Sequence, residues 1–227
     1  MTDSNYTHYV HVSDRSGSMG AFADGLSGPT KAENATAGIR AYNADQAKET
    51  AGHQRGTVSL YQFDHQHETV YDFADIHDAA LAFYTVTPRG NTALLDALGF
   101  AITQTGERLA ALPEGQRPGH VIFIVSTDGY ENWSHEYTKA QVKKMIEVQQ
   151  ETYGWQFIFI GAGIDAFSEA GGIGIAMGST MGTAGTHYGT AYKMSSHAST
   201  RSRAGGQSVA FTEEERAAAS GGDPDTE

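Results

Sequence analysis

Cysteine is absent from the 227 residues, which removes disulfide scaffolds, thiolate zinc sites and cysteine nucleophiles together and suits a reducing compartment. Basic residues are scarce: 15 Lys and Arg stand against 27 Asp and Glu, a formal net charge of −12. Such a surface offers little to phosphate backbones or anionic lipid, so neither nucleic acid nor membrane is an expected partner. Long apolar runs are missing too. The stretches "VIFIV" and "FIFI" fall far short of the ~20 residues that a membrane-spanning helix needs. The start, "MTDSNYTHYV", has neither the basic nor the apolar region of a secretory signal, and the chain is expected in the cytoplasm.

What is present suffices for a core, since 39% of the residues are hydrophobic, and one domain is expected over residues 1–203. Short apolar runs alternate with longer segments of helical period, the pattern of an α/β layered fold. Tyr9 to Ser13 reads as a first strand, and Thr30 to Thr50 as a helix with Ala35, Ile39 and Tyr42 on one face. "TVSLYQF" and "ETVYDF", separated by "DHQH", read as a hairpin and hence as one antiparallel edge strand. In "NTALLDALGFAITQTGERLAAL", Leu94, Leu95, Leu98, Ile102, Leu109 and Leu112 recur at helical spacing, with Asn91 or Thr92 expected as the cap.

"HVIFIVS" is apolar throughout, as suits a central strand covered on both faces. Thr138 and Gln141 fit a capping box ahead of Val142, Met145 and Ile146. "WQFIFIG" is the next strand, "GIGIAMG" a weaker one, and a helix over Thr183 to Arg203 should turn Ala184, Tyr188 and Ala191 inward. Residues 204–227 form an acidic, Gly- and Ala-rich tail, expected to be flexible, with a short helix in "FTEEERAAAS".

The chemistry gathers in three loops. Asp14, Ser16 and Ser18 form D-x-S-x-S at the carboxyl end of the first strand, where open parallel sheets bind ligands. Asp128, in "IVSTDGYEN", follows the most apolar strand, and Thr92, in "PRGNTALLD", stands where a loop enters a helix. Each offers only oxygen, the donor preferred by hard cations such as Mg2+. With Ser16, Ser18 and Thr92 bound directly and Asp14 and Asp128 partly through water, few formal charges touch the ion, which stays electrophilic and open to an outside carboxylate. Arg15 and Arg89 are candidates for receiving an anion at the rim.

Blander readings exist for the same residues: a Ser- and Gly-rich turn for the first loop, an Asp-Gly turn for Asp128, a helix cap for Thr92. Asp64, His65, His67 and Asp72 invite a transition-metal site, but the two histidines fall in the hairpin turn, where polar residues are solvated. "IFIGAGIDAFSEAGG" lacks the third glycine and the early position of a dinucleotide-binding turn.

The three loops together resemble the metal-ion-dependent adhesion site (MIDAS) of the von Willebrand factor type A (VWA) domain. "DRSGSM" matches its D-x-S-x-S loop, Thr92 its lone threonine and Asp128 its second aspartate. "TALLDALG", "STDGYENWSHEYTKAQVKKMIE" and "YGWQFIFIGAGIDAFSEAGGIGI" resemble the single-domain members of bacterial and phage type, over about residues 6–203. The resemblance implies a three-layer, Rossmann-like fold: a central, mostly parallel six-stranded sheet with one antiparallel edge strand and helices on both faces. It also implies a non-enzymatic protein-binding module whose Mg2+, with Mn2+ or Ca2+ as alternatives, is completed by an Asp or Glu of a protein partner. "MGAFADGLSG" lacks the acidic pair of a neighbouring regulatory cation, so no second metal is expected. Two other readings stay open: a metal-assisted phosphohydrolase using the same carboxylates, and an accessory subunit in which the metal is purely structural.

Overall fold

The computed structural model of the chain describes residues 2–50, 52, 54–206 and 208–221. Strands β1 (Asp3–Asp14), β2 (Arg55–Phe63), β3 (His67–Asp75), β4 (Pro118–Thr127), β5 (Gln156–Ala162) and β6 (Thr180–Thr183) form one sheet in the order β3-β2-β1-β4-β5-β6. Every pairing is parallel except that of β2 with β3, the expected hairpin. The helices are α1 (Lys31–Glu49), α2 (Leu94–Ala110), α3 (Lys139–Tyr153), α4 (Ala166–Gly172), α5 (Tyr188–Gly205) and α6 (Glu213–Ser220). The fold is the expected three-layer α/β arrangement.

Alternation along β1 divides the core. Tyr9 packs with Ile39 and Tyr42 of α1 and with Tyr188 and Tyr192 of α5, whereas Val10 and Val12 pack with Leu94, Leu98 and Ile102 of α2 and with Val142 and Ile146 of α3. Each of these aliphatic side chains contributes about 1.5–3 kcal/mol by leaving water. The same sheet buries two polar rings that the apolar pattern did not mark. His8 stacks on Phe73 at 3.7 Å and meets the Thr57 hydroxyl at 2.8 Å, and His11 meets Asn43 Oδ1 at 2.9 Å.

Helix starts follow the local sequence where it supplies a cap. The Thr138 hydroxyl accepts from the Gln141 amide and the Gln141 side chain accepts from the Thr138 amide, the expected box; Thr30 and Glu33 do the same for α1. For α2 the expectation fails: the helix starts at Leu94, and neither Asn91 nor Thr92 caps it. Its free amides are met from the loop after β4 instead, Leu95 N–H donating to Glu131 Oε2 at 2.9 Å and Asp96 N–H to Ser134 Oγ at 3.1 Å. Asp96 returns the exchange, its carboxylate accepting from the amides of His135, Glu136 and Tyr137.

Other boundaries are corrected as well. "GIGIAMG" is not a strand: Ile173 and Ile175 reach the core from a loop, and β6 forms only from Thr180 onward, where the backbone regains a partner in β5. The helix expected from Thr183 starts at Tyr188, since Thr183 ends β6, and Ala184 is exposed while Tyr188 and Ala191 are buried. Beyond α5, Val209, Phe211 and Ala219 are buried, Arg201 grips Glu215 in a two-pronged pair at 2.6 and 2.8 Å, and the Thr183 hydroxyl donates to Ala219 O at 2.6 Å. The end of the expected tail, 222–227, lies outside the described residues.

The strand order places β2 on one side of β1 and β4 on the other. The chain therefore diverges at the carboxyl ends of β1 and β4, where a crevice opens in sheets of this kind.

Candidate metal centre

Asp14 is the last residue of β1 and Asp128 the first after β4, and the two strands run side by side with Ser13 opposite Ser126. Asp14 is buried and held at both oxygens: Ser16 N–H donates to Oδ1 at 2.6 Å and the Thr127 hydroxyl to Oδ2 at 2.6 Å. Ser16 Oγ and Ser18 Oγ lie 3.1 Å apart, and the Ser18 hydroxyl donates to Asp128 Oδ1 at 2.7 Å. Four of the five residues singled out by sequence thus form one hydrogen-bonded chain, linked through the Ser16 amide and the hydroxyls of Ser16 and Ser18.

Thr92 joins them across Gly129. A Cβ built on that glycine would stand 3.1 Å from Thr92 Oγ1 and 3.8 Å from Ser18 Oγ, so both hydroxyls border the space that Gly129 leaves clear. The backbone of Thr92 is fixed by Asn132, whose side chain accepts from Thr92 N–H at 3.0 Å and whose amide donates to Thr92 O at 3.0 Å. Because Glu131 and Ser134 take over the cap of α2, the Thr92 hydroxyl is not spent there.

The electrostatics suit a cation. Burial pushes Asp14 up to about 6, against the pull of the hydrogen bonds from Thr127 and Ser16, and the charge of Asp128 adds to the rise. A carboxylate in that position gains from a positive charge at its side. Two carboxylates and three hydroxyls, all oxygen, fit a hard divalent ion and offer nothing soft. One cation already touches the set: Lys31 Nζ donates to Asp128 Oδ2 at 2.7 Å.

Arg15 and Arg89 are not available at the rim. Arg15 Nη1 donates to Glu68 Oε2 at 2.9 Å and its Nε lies 2.8 Å from Asp64 Oδ2; Arg89 Nε donates to Asp64 Oδ2 at 2.7 Å and its Nη2 to Glu68 Oε1 at 3.0 Å. The hydrogen bond from Arg15 is the main cause that takes Glu68 down to about 2. These pairs fasten the loop holding Thr92 to the one holding Ser16, as do Arg89 N–H to Arg15 O at 2.8 Å and Gly17 N–H to Gly90 O at 3.0 Å.

Among the described residues, no three or more His, Cys, Asp or Glu are grouped to hold a metal ion. Asp64 is committed to the arginines, and His67 packs on Phe100 at 4.1 Å. Sequence reasoning missed Thr127, Lys31, Glu131 and Asn132. The acid and amide directly after "DGY" were a usable signal for the last two; Lys31, 97 positions from Asp128, gave none.

Neither a protein-family model nor a curated protein matches the sequence. Solved structures do match in shape. Proximal thread matrix protein 1 from the mussel byssus aligns at 15% identity and a TM-score of 0.58, over 87% of this chain and 47% of that one. The PilB minor pilin from Streptococcus sanguinis gives 14% and 0.62, over 86% and 61%. The vWF domain of the type V pili tip protein Mfa5 from Porphyromonas gingivalis gives 12% and 0.58, over 84% and 94%. The chain therefore spans about half to three fifths of the first two proteins and nearly all of the third domain. The mussel protein has also been solved with a zinc-occupied MIDAS motif, at 17% identity and a TM-score of 0.52, over 80% of this chain and 42% of that one. The chain has the VWA fold.

Proposed function

We propose that the chain is a divalent-metal-dependent protein-binding module, with the ion held by Asp14, Ser16, Ser18, Thr92 and Asp128. The observation that carries this reading is the convergence of three loops on an oxygen-only set with just two carboxylates, one of them already paired with Lys31. When bound, the ion supplies a Lewis-acid position that an Asp or Glu of a protein partner can fill. Mg2+ fits this donor set best, with Mn2+ and Ca2+ as alternatives. The zinc seen in the mussel protein supports divalent occupancy of such a motif. The chain's own residues hold the loops, exclude bulk water from Asp14 and leave the outer side of the centre open.

A cytoplasmic setting agrees with the lack of cysteine, and among the described residues no helix is long and apolar enough to cross a membrane. An enzymatic reading is less well supported. Phosphoryl transfer needs a charged clamp beside the ion; Arg15 and Arg89 are both taken by Asp64 and Glu68, and Lys31 is paired with Asp128.

Calorimetric titration of Mg2+ or Mn2+ into wild type and Asp14→Ala protein tests the centre. Wild type should bind and the variant should not; equal affinities overturn the reading. A partner captured on the wild type should come off with chelator.

A further inference from the structure

We infer that Lys31 tunes this centre by sharing Asp128 with the divalent ion, so that its ammonium lowers the affinity with which the protein alone holds the metal. The inference rests on the proposed metal site and concerns its regulation. Asp128 has both oxygens engaged, Oδ1 by Ser18 and Oδ2 by Lys31, the latter at 2.7 Å. An ion that uses Asp128 therefore either shares that carboxylate with an ammonium or displaces it, and each course weakens binding.

The placement of Lys31 is built and not incidental. It is the first residue of α1, where a positive charge opposes the helix dipole. Helix formation alone thus gives no reason for a lysine at this position. Its amide donates to Ala21 O at 3.0 Å, and its side chain is only 24% exposed. The stem runs past Gly185, where a Cβ would stand 2.9 Å from Lys31 Cγ and 3.3 Å from Ala23 O. A side chain at 185 would press on the stem of the lysine, which the glycine leaves clear.

The charge balance gives the effect its sign. Asp14 and Asp128 contribute two negative charges and Lys31 one positive, while the guanidinium of Arg15 is directed to Asp64 and Glu68. A divalent ion entering this set is attracted by two charges and repelled by one at close range, where the effective dielectric is well below that of water.

Calorimetry with Mn2+ on wild type, Lys31→Met, Lys31→Gln and Lys31→Arg proteins, each first checked for folding by circular dichroism, decides the matter. The Met and Gln variants should bind Mn2+ roughly tenfold tighter or more, as expected from removing one nearby charge, and the Arg variant should stay close to wild type. The rise in melting temperature on adding Mn2+ should also be larger for Met and Gln than for wild type. Binding by all four proteins with equal affinity, or weaker binding by Met and Gln, overturns the role of Lys31 and leaves the metal centre standing. No binding by any of the four overturns the metal centre and this inference with it.

Discussion

The Thr127 hydroxyl donates to Asp14 Oδ2 at 2.6 Å, joining the ends of β1 and β4 through two side chains that point into the same crevice. Thr127 Oγ1 also accepts from Gly129 N–H at 3.1 Å, so one hydroxyl fixes both the first acid and the turn that carries the second. Thr127→Val keeps the shape and removes the bond. The loss of a buried partner should destabilise the fold by about 1–3 kcal/mol. Urea unfolding checks the stability; calorimetry should show weaker Mg2+ binding, and unchanged values on both counts would remove Thr127 from the site.

Glu131 substitutes for a local cap at α2. Glu131→Ala strips acceptors from the amides of Leu95, Trp133 and Ser134. A cost of about 1–2 kcal/mol is expected, by analogy with lost N-caps. Hydrogen exchange should report it locally, with faster exchange at Leu95 and Ser134 and little change in β5.

Gly129 tests the space beside Thr92 without disturbing the core. In Gly129→Ala the new methyl lies 3.1 Å from Thr92 Oγ1, closer than side chains tolerate without giving way. Its backbone φ is not among the positive values, so alanine is not strained there. The melting temperature should stay near that of wild type while Mg2+ affinity falls. A variant that binds the ion as well as wild type would separate Thr92 from the centre.

Acid should weaken the fold through His8 and His11. Burial pushes His8 down to about 3; His11 goes down to about 4 for the same reason, despite its bond to Asn43. Both stay neutral in the folded chain while the unfolded chain takes up protons below about 6.5. The unfolded state then binds more protons, so this contribution is intact above pH 6.5 and is lost as pH falls toward 4 and 3. Asp14 acts in the opposite sense, taking a proton in the folded state near pH 6 but only near 3.8 when unfolded. The two histidines outweigh the one carboxyl, so stability measured by urea without divalent ions should fall as pH drops from about 6.5 toward 4, and His8→Phe should flatten the profile.

The layers of this fold were legible because periodicity reports burial: "HVIFIVS" is apolar on both faces and became β4, and the spacing of Leu94, Leu98 and Ile102 set the buried side of α2. Asp14, Ser16, Ser18 and Asp128 were legible as oxygen donors at strand ends and Thr92 as one where a loop enters a helix, and the fold brings them together. What the sequence did not reveal depends on contacts between distant segments. "GIGIAMG" carried an apolar signal from loop residues, because Ile173 and Ile175 are buried without being paired. The assignment of Thr92 as a cap failed because Glu131 reaches the same helix end from a different loop. Arg15 and Arg89 looked free until the hairpin delivered Asp64 and Glu68 to them, and nothing in the text of the chain linked Lys31 to Asp128.

The mutual neutralisation of Arg15 and Arg89 with Asp64 and Glu68 has a kinetic corollary. A surface of net charge −12 with those guanidinium groups spoken for cannot steer an acidic partner inward. Encounter with such a partner would be opposed at long range and driven only by the short-range grip of the proposed ion. Added salt, which slows most charge-guided associations, should here speed the approach.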